Sequence, residues 1–511
     1  MFGINFDKPH PIPPSNNRSM QGSGIFFKGR RFITHTTLNH ENTAFFSLVL
    51  WQKLFLGTIV ALMLYGLITS PIKTSVEIVA VLSTIYFFDV IFNLFLIVKS
   101  LRSTPEIKFT VEEISKLHDD ELPVYTILCP LYKEAKVVPR FIKAIEKIDW
   151  PKEKLEVIIL IEENDPQTKE ALLNTYLPDN VGISVVPYSI PKTKPKACNW
   201  GLSLAQGDYL VIYDAEDEPE PLQLKKAYVA FNKVPSDVIC LQSKLNYYNP
   251  HQNVLTRLFT AEYSLWFDII LTGLQKMNTV IPLGGTSNHF KRADLIKLEG
   301  WDAFNVTEDA DLGIRLFKAG YKTAIIDSTT YEEANSELGN WVRQRSRWIK
   351  GYIQTYFVHM REPAKFFREY DLHALVFQLL MGGKIAFCII NPLLWLMTIS
   401  YFALNGITAP IIETLYPSHI FYMALTSFVF GNFMFFYCHM IGCAKRSQWT
   451  LLKYLILVPF YWLLISAATL LAIYQFIVKP HFWEKTVHGL DLRSTNNTNQ
   501  PVESTTLWRP I

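Results

Sequence analysis

Five acids crowd the end of one apolar run. In Tyr209 to Pro221, YLVIYDAEDEPEP, a β-type stretch stops abruptly at Asp214, Glu216, Asp217, Glu218 and Glu220. In open α/β sheets ligands bind beyond the carboxyl ends of the strands, so carboxylates emerging there can hold a hard cation and the phosphates attached to it. Asp214 and Glu216, spaced Asp-x-Glu, put two carboxylates within reach of one Mg²⁺ or Mn²⁺ bridging a diphosphate. Standing alone, the same residues make an ordinary acidic turn after an edge strand. The reading therefore depends on their company.

That company is carried by a repeating pattern. From about Leu101 to Tyr370 short β-rich runs alternate with helix-patterned stretches, the mark of a parallel sheet with crossover helices. The spacing predicts strands at Val124 to Cys129, Val157 to Ile161, Ile183 to Pro187 and Tyr209 to Tyr213. Helices are expected at Ala135 to Ile148, Gln167 to Tyr176 and Ala197 to Ala205. Polar residues follow the strands: Tyr132 and Glu134, then Glu162, Glu163 and Asp165, then Lys194 and Lys196, then the acidic run. Four successive tips would converge on one crevice.

Composition sets the surroundings. The 511 residues carry a net charge of +3, which argues against a nucleic-acid binder, where a concentrated basic face is expected. Charged residues are few and aromatics plentiful, as in a membrane protein. The six cysteines show no paired spacing and read as buried apolar residues. Residues 1–43, with Pro9, Pro11, Pro13, Pro14 and the basic KGRR at Lys28 to Arg31, read as a mobile cytoplasmic arm. Ala44 to Thr69 and Val76 to Val98 read as a transmembrane hairpin within 44–100, since about 20 apolar residues cross a bilayer. Asp89 inside the second run reads as a helix contact. After the soluble unit at 101–370, Ile385 to Leu404, Ile420 to Gly442 and Leu451 to Val478 are further spanning candidates within 371–480. Lys445, Arg446 and Lys453 place one loop in the cytoplasm. Five spans would leave the chain's end outside, yet KPHFWEKTVHG in the 481–511 tail reads as a cytoplasmic interfacial segment. The last apolar run could equally hold a re-entrant piece.

Two further stretches carry chemistry. NVTEDADLG, Asn305 to Gly313, follows PLGGTSNHF, Pro282 to Phe290; its acids alone would be a helix N-cap. WVRQRSRWIKGYIQTY, Trp341 to Tyr356, is a basic and aromatic amphipathic helix that alone would lie on the membrane surface. Leu255 to Gln275 reads as another interfacial helix.

The order CPLYKEA, IEEND, KPKACNWGL, YDAEDEPEP, NVTEDADLG, QRSRW resembles the inverting family 2 glycosyltransferases with membrane helices. Among these it is similar to cellulose, chitin and hyaluronan synthases, and most of all to bacterial cellulose-synthase-like proteins. The resemblance covers about residues 120–360. It implies a GT-A α/β (Rossmann-like) domain under an α-helical transmembrane bundle. It places Pro130, Tyr132 and Glu134 at the nucleoside, either Glu162 or Glu163 at the base, and Lys196 near the diphosphate. Asp214 and Glu216 hold Mg²⁺ or Mn²⁺, with Glu in place of the family's second Asp. Asp309, beside Glu308, matches the catalytic base, and burial should raise its pKa. Gln344, Arg345, Arg347 and Trp348 carry the Gln-x-x-Arg-Trp signature, with Arg347 clamping the departing diphosphate and Trp348 stacking on the acceptor sugar.

The expected protein is a multi-pass enzyme of a bacterial inner membrane, its catalytic unit in the cytoplasm. It transfers sugar from a nucleotide-diphosphate sugar to a growing β-linked polysaccharide and guides the product through the bundle. The layout is compatible with an accessory export subunit. A non-processive transferase acting on a lipid-linked acceptor would use the same donor site, and a receptor or assembly component with a decayed site is the reading from another class.

Overall fold

The computed structural model describes residues 8–14, 20–102 and 105–490. Its centre is an eight-stranded mixed sheet in the order β6-β5-β4-β7-β10-β9-β11-β8. Here β4 is Tyr125–Leu131, β5 Leu155–Glu162, β6 Val181–Val186, β7 Tyr209–Ile212, β8 Glu218–Pro219, β9 Val238–Tyr247, β10 Asn288–Lys291 and β11 Lys322–Glu332. β4 pairs in parallel with both β5 and β7, and β5 with β6, which makes the βαβ half the sequence pattern predicts. The crossover helices Val138–Glu146, Pro166–Leu173 and Lys194–Leu204 fall where they are expected. The strands β4 and β5 are buried on both faces, so they read as unbroken apolar runs rather than alternating ones. β10 runs antiparallel between β7 and β9 and breaks the parallel order beside the acidic run.

Among the described residues, five helices are long and apolar enough to cross a membrane: Leu50–Thr69, Pro71–Arg102, Pro363–Ala403, Ser418–Lys445 and Trp449–Val478. The last of these includes the helix Val458–Val478, which tracks the helix Leu338–His359 along its length. Tyr461 meets Trp341 at one end and Phe476 meets Phe357 at the other. Its opposite face, with Phe460, Leu470 and Ile477, is exposed. Residues 479–490 then return to the sheet domain, where Lys350 and Gln354 donate to the carbonyls of Phe482 and Pro480.

The described part of the arm expected to be mobile instead forms a three-stranded antiparallel sheet, β1 His10–Ile12, β2 Gly24–Phe27 and β3 Arg30–Ile33. It has no core of its own. It borrows one: Phe32 and Phe45 pack on Phe304, and Ile33 N–H donates to the Ile190 carbonyl. The remainder of the arm, residues 1–7 and 15–19, and the tail from 491 lie outside the described residues.

Candidate active site

Three loops and one helix meet over the carboxyl ends of β4, β5 and β7. The turn after β7 is fixed by Asp217, whose carboxylate accepts from Asp214 N–H at 2.7 Å and from the Thr286 hydroxyl. That leaves Asp214 and Glu216 facing the cleft. Asp217, one of the five acids, thus shapes the turn through Oδ2, while its Oδ1 is buried without a hydrogen-bond partner. The NVTED loop is bound to the QRSRW helix: Thr307 Oγ1 donates to the Trp348 carbonyl, Asn305 Nδ2 to Thr355 Oγ1, and Val306 N–H to Gln354 Oε1. Gly351 permits this, because a Cβ there would stand 1.9 Å from Thr307 Oγ1. A glycine inside a helix costs roughly 1 kcal/mol against alanine, so close approach is what it serves here.

The result is one cavity of about 470 Å³ lined by Pro130, Tyr132, Glu134, Glu162, Asp214, Glu216, Glu308, Asp309, Gln344, Arg345, Arg347 and Trp348. The same cavity runs on among the apolar helices, past Trp266, Phe387, Phe435 and Trp462 to Asp89 and Lys384. Asp309 is buried and its Oδ1 has no hydrogen-bond partner. Burial, and then the neighbouring Glu308 carboxylate, push its pKa well above the usual carboxylate range, against the pull of Lys194. Arg347 faces Glu308, Asp214 and Glu216, and its guanidinium lies 4.9 Å from the Trp483 ring centroid.

Several expected residues sit elsewhere than the sequence suggested. Lys196 is fully buried under the sheet edge, where it pairs with Glu162 at 2.9 Å and is absent from the cavity wall. The lysine in the cleft is Lys194, two residues earlier. Its ammonium reaches Asp214 at 2.6 Å and the Gly285 carbonyl at 2.6 Å. Of the acidic pair, Glu162 lines the cavity with one oxygen unpartnered, while Glu163 turns away to accept from Tyr188 N–H at 2.7 Å. Arg345 touches the cavity wall, but its charge is committed to Glu262 and Tyr461 rather than to the acids.

The segment after Val458–Val478, expected from its sequence to be an interfacial tail, enters the cleft instead. His488 Nδ1 lies 2.9 Å from Glu216 Oε1, and Lys485 Nζ 3.5 Å from Glu134 Oε1. Asn340 holds the strap in place by exchanging hydrogen bonds with both backbone groups of Val487, and Glu333 accepts from Gly489 N–H. Burial would lower the His488 pKa, but Glu216 outweighs it and lifts it to about 9. Reciprocally, burial would raise Glu216, and His488 holds it below its ordinary value. Nothing in the composition of HFWEKTVHG marks these side chains as partners of acids some 270 and 350 positions away.

A divalent cation fits this donor set. One ligand atom from each of Glu134, Glu216 and His488 lies within 4.8 Å of the other two, and Asp214 stands beside them on Lys194. Two carboxylates and an imidazole, with a third carboxylate at hand, suit Mn²⁺ or Mg²⁺.

Residues 209–478 match the family described as Glycosyl transferase family group 2, which is 270 of 511 residues. A Bacillus subtilis protein named "Probable glycosyltransferase YdaM" is 27% identical over 48% of this chain and 59% of its own. Glucomannan 4-beta-mannosyltransferase 1 of Oryza sativa subsp. japonica is 24% identical over 53% of this chain and 52% of its own. The UDP-forming cellulose synthase catalytic subunit of Pseudomonas fluorescens is 26% identical over 47% and 32%. The chain thus spans about half the length, or less, of these relatives. Among solved structures, the mannosyltransferase PcManGT from Pyrobaculum calidifontis, in complex with GDP-Man and Mn²⁺, aligns with a TM-score of 0.47. Identity there is 17%, over 79% of this chain and 99% of that one.

Proposed function

The chain belongs to glycosyl transferase family group 2, and on that footing we propose that it is a metal-dependent inverting transferase that extends a β-linked glycan at the cytoplasmic membrane face. It is a glycosyltransferase with a GT-A-type α/β domain. The observation that carries the finer reading is the single cavity that gathers Asp214, Glu216, Asp309, Arg347 and Trp348 from three separate elements and continues into the bundle.

In this reading the nucleoside rests on Pro130 and Tyr132, with Glu162 accepting from the base. Lys194 takes the role the sequence gave to Lys196, offering its ammonium to the diphosphate. Asp214, Glu216, Glu134 and His488 would hold Mg²⁺ or Mn²⁺, which as a Lewis acid offsets the charge of the leaving diphosphate. Asp309 takes the proton from the acceptor hydroxyl as that oxygen bonds to the anomeric carbon. The C–O bond to the nucleoside diphosphate breaks on the opposite face, inverting the configuration. Its raised pKa suits a base that must hold the proton it receives. Arg347 steadies the departing diphosphate with its fork of donors. Trp348 offers the acceptor sugar an apolar face.

The route of the product is supported by the cavity's continuation past Trp266, Phe387 and Trp462. The strap also supports a membrane topology. Because residues 479–490 lie against the same domain as the N-terminal sheet, we assign the bilayer four crossings and lay Val458–Val478 along its surface. The test is direct: purified protein with UDP-glucose or GDP-mannose and Mn²⁺ or Mg²⁺, the product sized by gel and mass spectrometry. A ladder of oligosaccharides is expected. A single added sugar, or unimpaired turnover in both Asp309→Asn and Asp214→Ala, overturns the proposal.

A further inference from the structure

Arg345 and Arg347 stand two positions apart on the helix Leu338–His359, so they project about 200° apart. Arg347 looks into the acids. Arg345 looks the other way, and most of what it touches is buried: Phe259, Trp341 and Tyr461. Its guanidinium carbon lies 4.6 Å from the ring centroid of Phe259, 5.3 Å from Trp341 and 5.0 Å from Trp348. Its Nη2 donates to Glu262 Oε2 and, at 2.9 Å, to Tyr461 Oη, while the Tyr461 hydroxyl donates to Glu262 Oε2 at 2.6 Å. The three polar groups close a ring. They come from three elements: the helix Val254–Leu265, the helix Leu338–His359 and the last apolar helix Val458–Val478.

We propose that Arg345 is a positioning residue for the acceptor: it fixes the plane of the Trp348 indole at the cavity wall, and its own place is fixed by Glu262 and Tyr461. The inference rests on the transferase reading above, in which Trp348 carries the acceptor sugar. A planar cation on an aromatic face is attracted along the ring normal. Because the guanidinium is also pinned at Nη2, it cannot follow the ring, so the ring must follow it. Trp348 has softer neighbours on its other sides, with Phe259 and Tyr263 centroids at 6.0 and 6.3 Å in tilted geometry. Through Tyr461 the acceptor platform is also keyed to the last apolar helix.

Arg345→Lys tests this, because lysine keeps the charge for Glu262 but loses the planar stack. Binding of cellotetraose and mannotetraose is measured calorimetrically, without donor, beside binding of UDP and GDP with Mn²⁺. The expected result is at least a tenfold loss of tetraose affinity in Arg345→Lys, with nucleotide affinity within twofold of the parent. Tyr461→Phe, which leaves the carboxylate pair, should lose less. The decisive comparison is the double variant. If Arg345 acts through Trp348, Arg345→Lys/Trp348→Ala binds tetraose no more weakly than Trp348→Ala alone. Additive losses, or an equal loss of nucleotide and tetraose binding, mean that Arg345 only holds the fold and overturn the inference. These are binding measurements, so they stand apart from turnover: a protein that binds tetraose as described yet shows no transfer refutes the transferase reading and not this one.

Discussion

Two lysines separated by one proline, Lys194 and Lys196, should fail in opposite ways when each is changed to methionine. Lys196 is wholly buried and its partner Glu162 nearly so, at 0% and 7% side-chain exposure. Removing one partner of a buried pair strands the other charge, at about 3–5 kcal/mol. In a domain of 150–250 residues about 1 kcal/mol moves the midpoint by 2–4 °C, so Lys196→Met should lower it by roughly 10 °C. Burial already raises the Glu162 pKa against the pull of Lys196, and without Lys196 it rises further. A group whose folded pKa is raised favours the fold below that pKa and penalises it above, so the deficit should grow from pH 5.5 to pH 8. Glu162→Gln in the same chain should recover much of it. Lys194 is different. Its side chain is 17% exposed and Asp214 is 28% exposed, so solvent screens part of the pair and stability should fall by about 1 kcal/mol or less, a midpoint shift of about 4 °C at most. What it loses is a charge-assisted hydrogen bond to the donor, about 1.5–3 kcal/mol, or roughly 10- to 150-fold in donor affinity. Thermal unfolding of the detergent-solubilised protein followed by dye fluorescence, set beside donor saturation kinetics, separates the two. If Lys196→Met raised the donor KM without shifting the midpoint, and Lys194→Met did the reverse, the assignment of the two side chains would be refuted.

Other outcomes follow from the same geometry. Asp309→Asn should cut kcat by about 10²–10⁴-fold while leaving donor binding near normal, as measured by single-turnover kinetics. With the parent protein, burial of Asp309 beside Glu308 should place the acid limb of the kcat/KM profile above the ordinary carboxylate range, activity rising with pH through it; a limb near pH 4 would count against Asp309 as the base. His488, held protonated to about 9 by Glu216, must give up that proton to bind a metal, so Mn²⁺ affinity measured by competition titration should rise with pH across 6.5–8.5 and flatten in His488→Gln. Gly351→Ala places a methyl on Thr307 and should cost about 1–3 kcal/mol by overpacking, with a fall in kcat as the NVTED loop shifts, and Thr307→Ser should not relieve it because Oγ1 is the atom struck.

The frame was legible because its signals are local. β4, β5 and β7 announce themselves as buried apolar runs, and acids at their carboxyl ends can only meet in one place once the strands are parallel. β9, β10 and β11 were not foreseen, since the antiparallel insertion of β10 depends on long-range pairing that no short window encodes. Within the site, residue types were readable and side-chain directions were not. KPK offers two cations, and only the docking of Lys194–Leu204 on the sheet decides which one reaches the cleft. QRSRW offers two arginines, and Glu262 with Tyr461 decides between them. The strap escaped altogether, because its meaning lies in Asn340, Lys350 and Gln354, which receive it.

That strap has a consequence for biogenesis. Residues 479–490 are translated after every apolar helix described above, yet they bring His488 and Lys485 to acids laid down hundreds of residues earlier. On the reading proposed above, a nascent chain would seat its helices in lipid while the cavity still lacks the wall that His488 and Lys485 supply, and it would stay idle toward sugar nucleotides until that segment docks. On that reading, activity would report that residues 479–490 have docked.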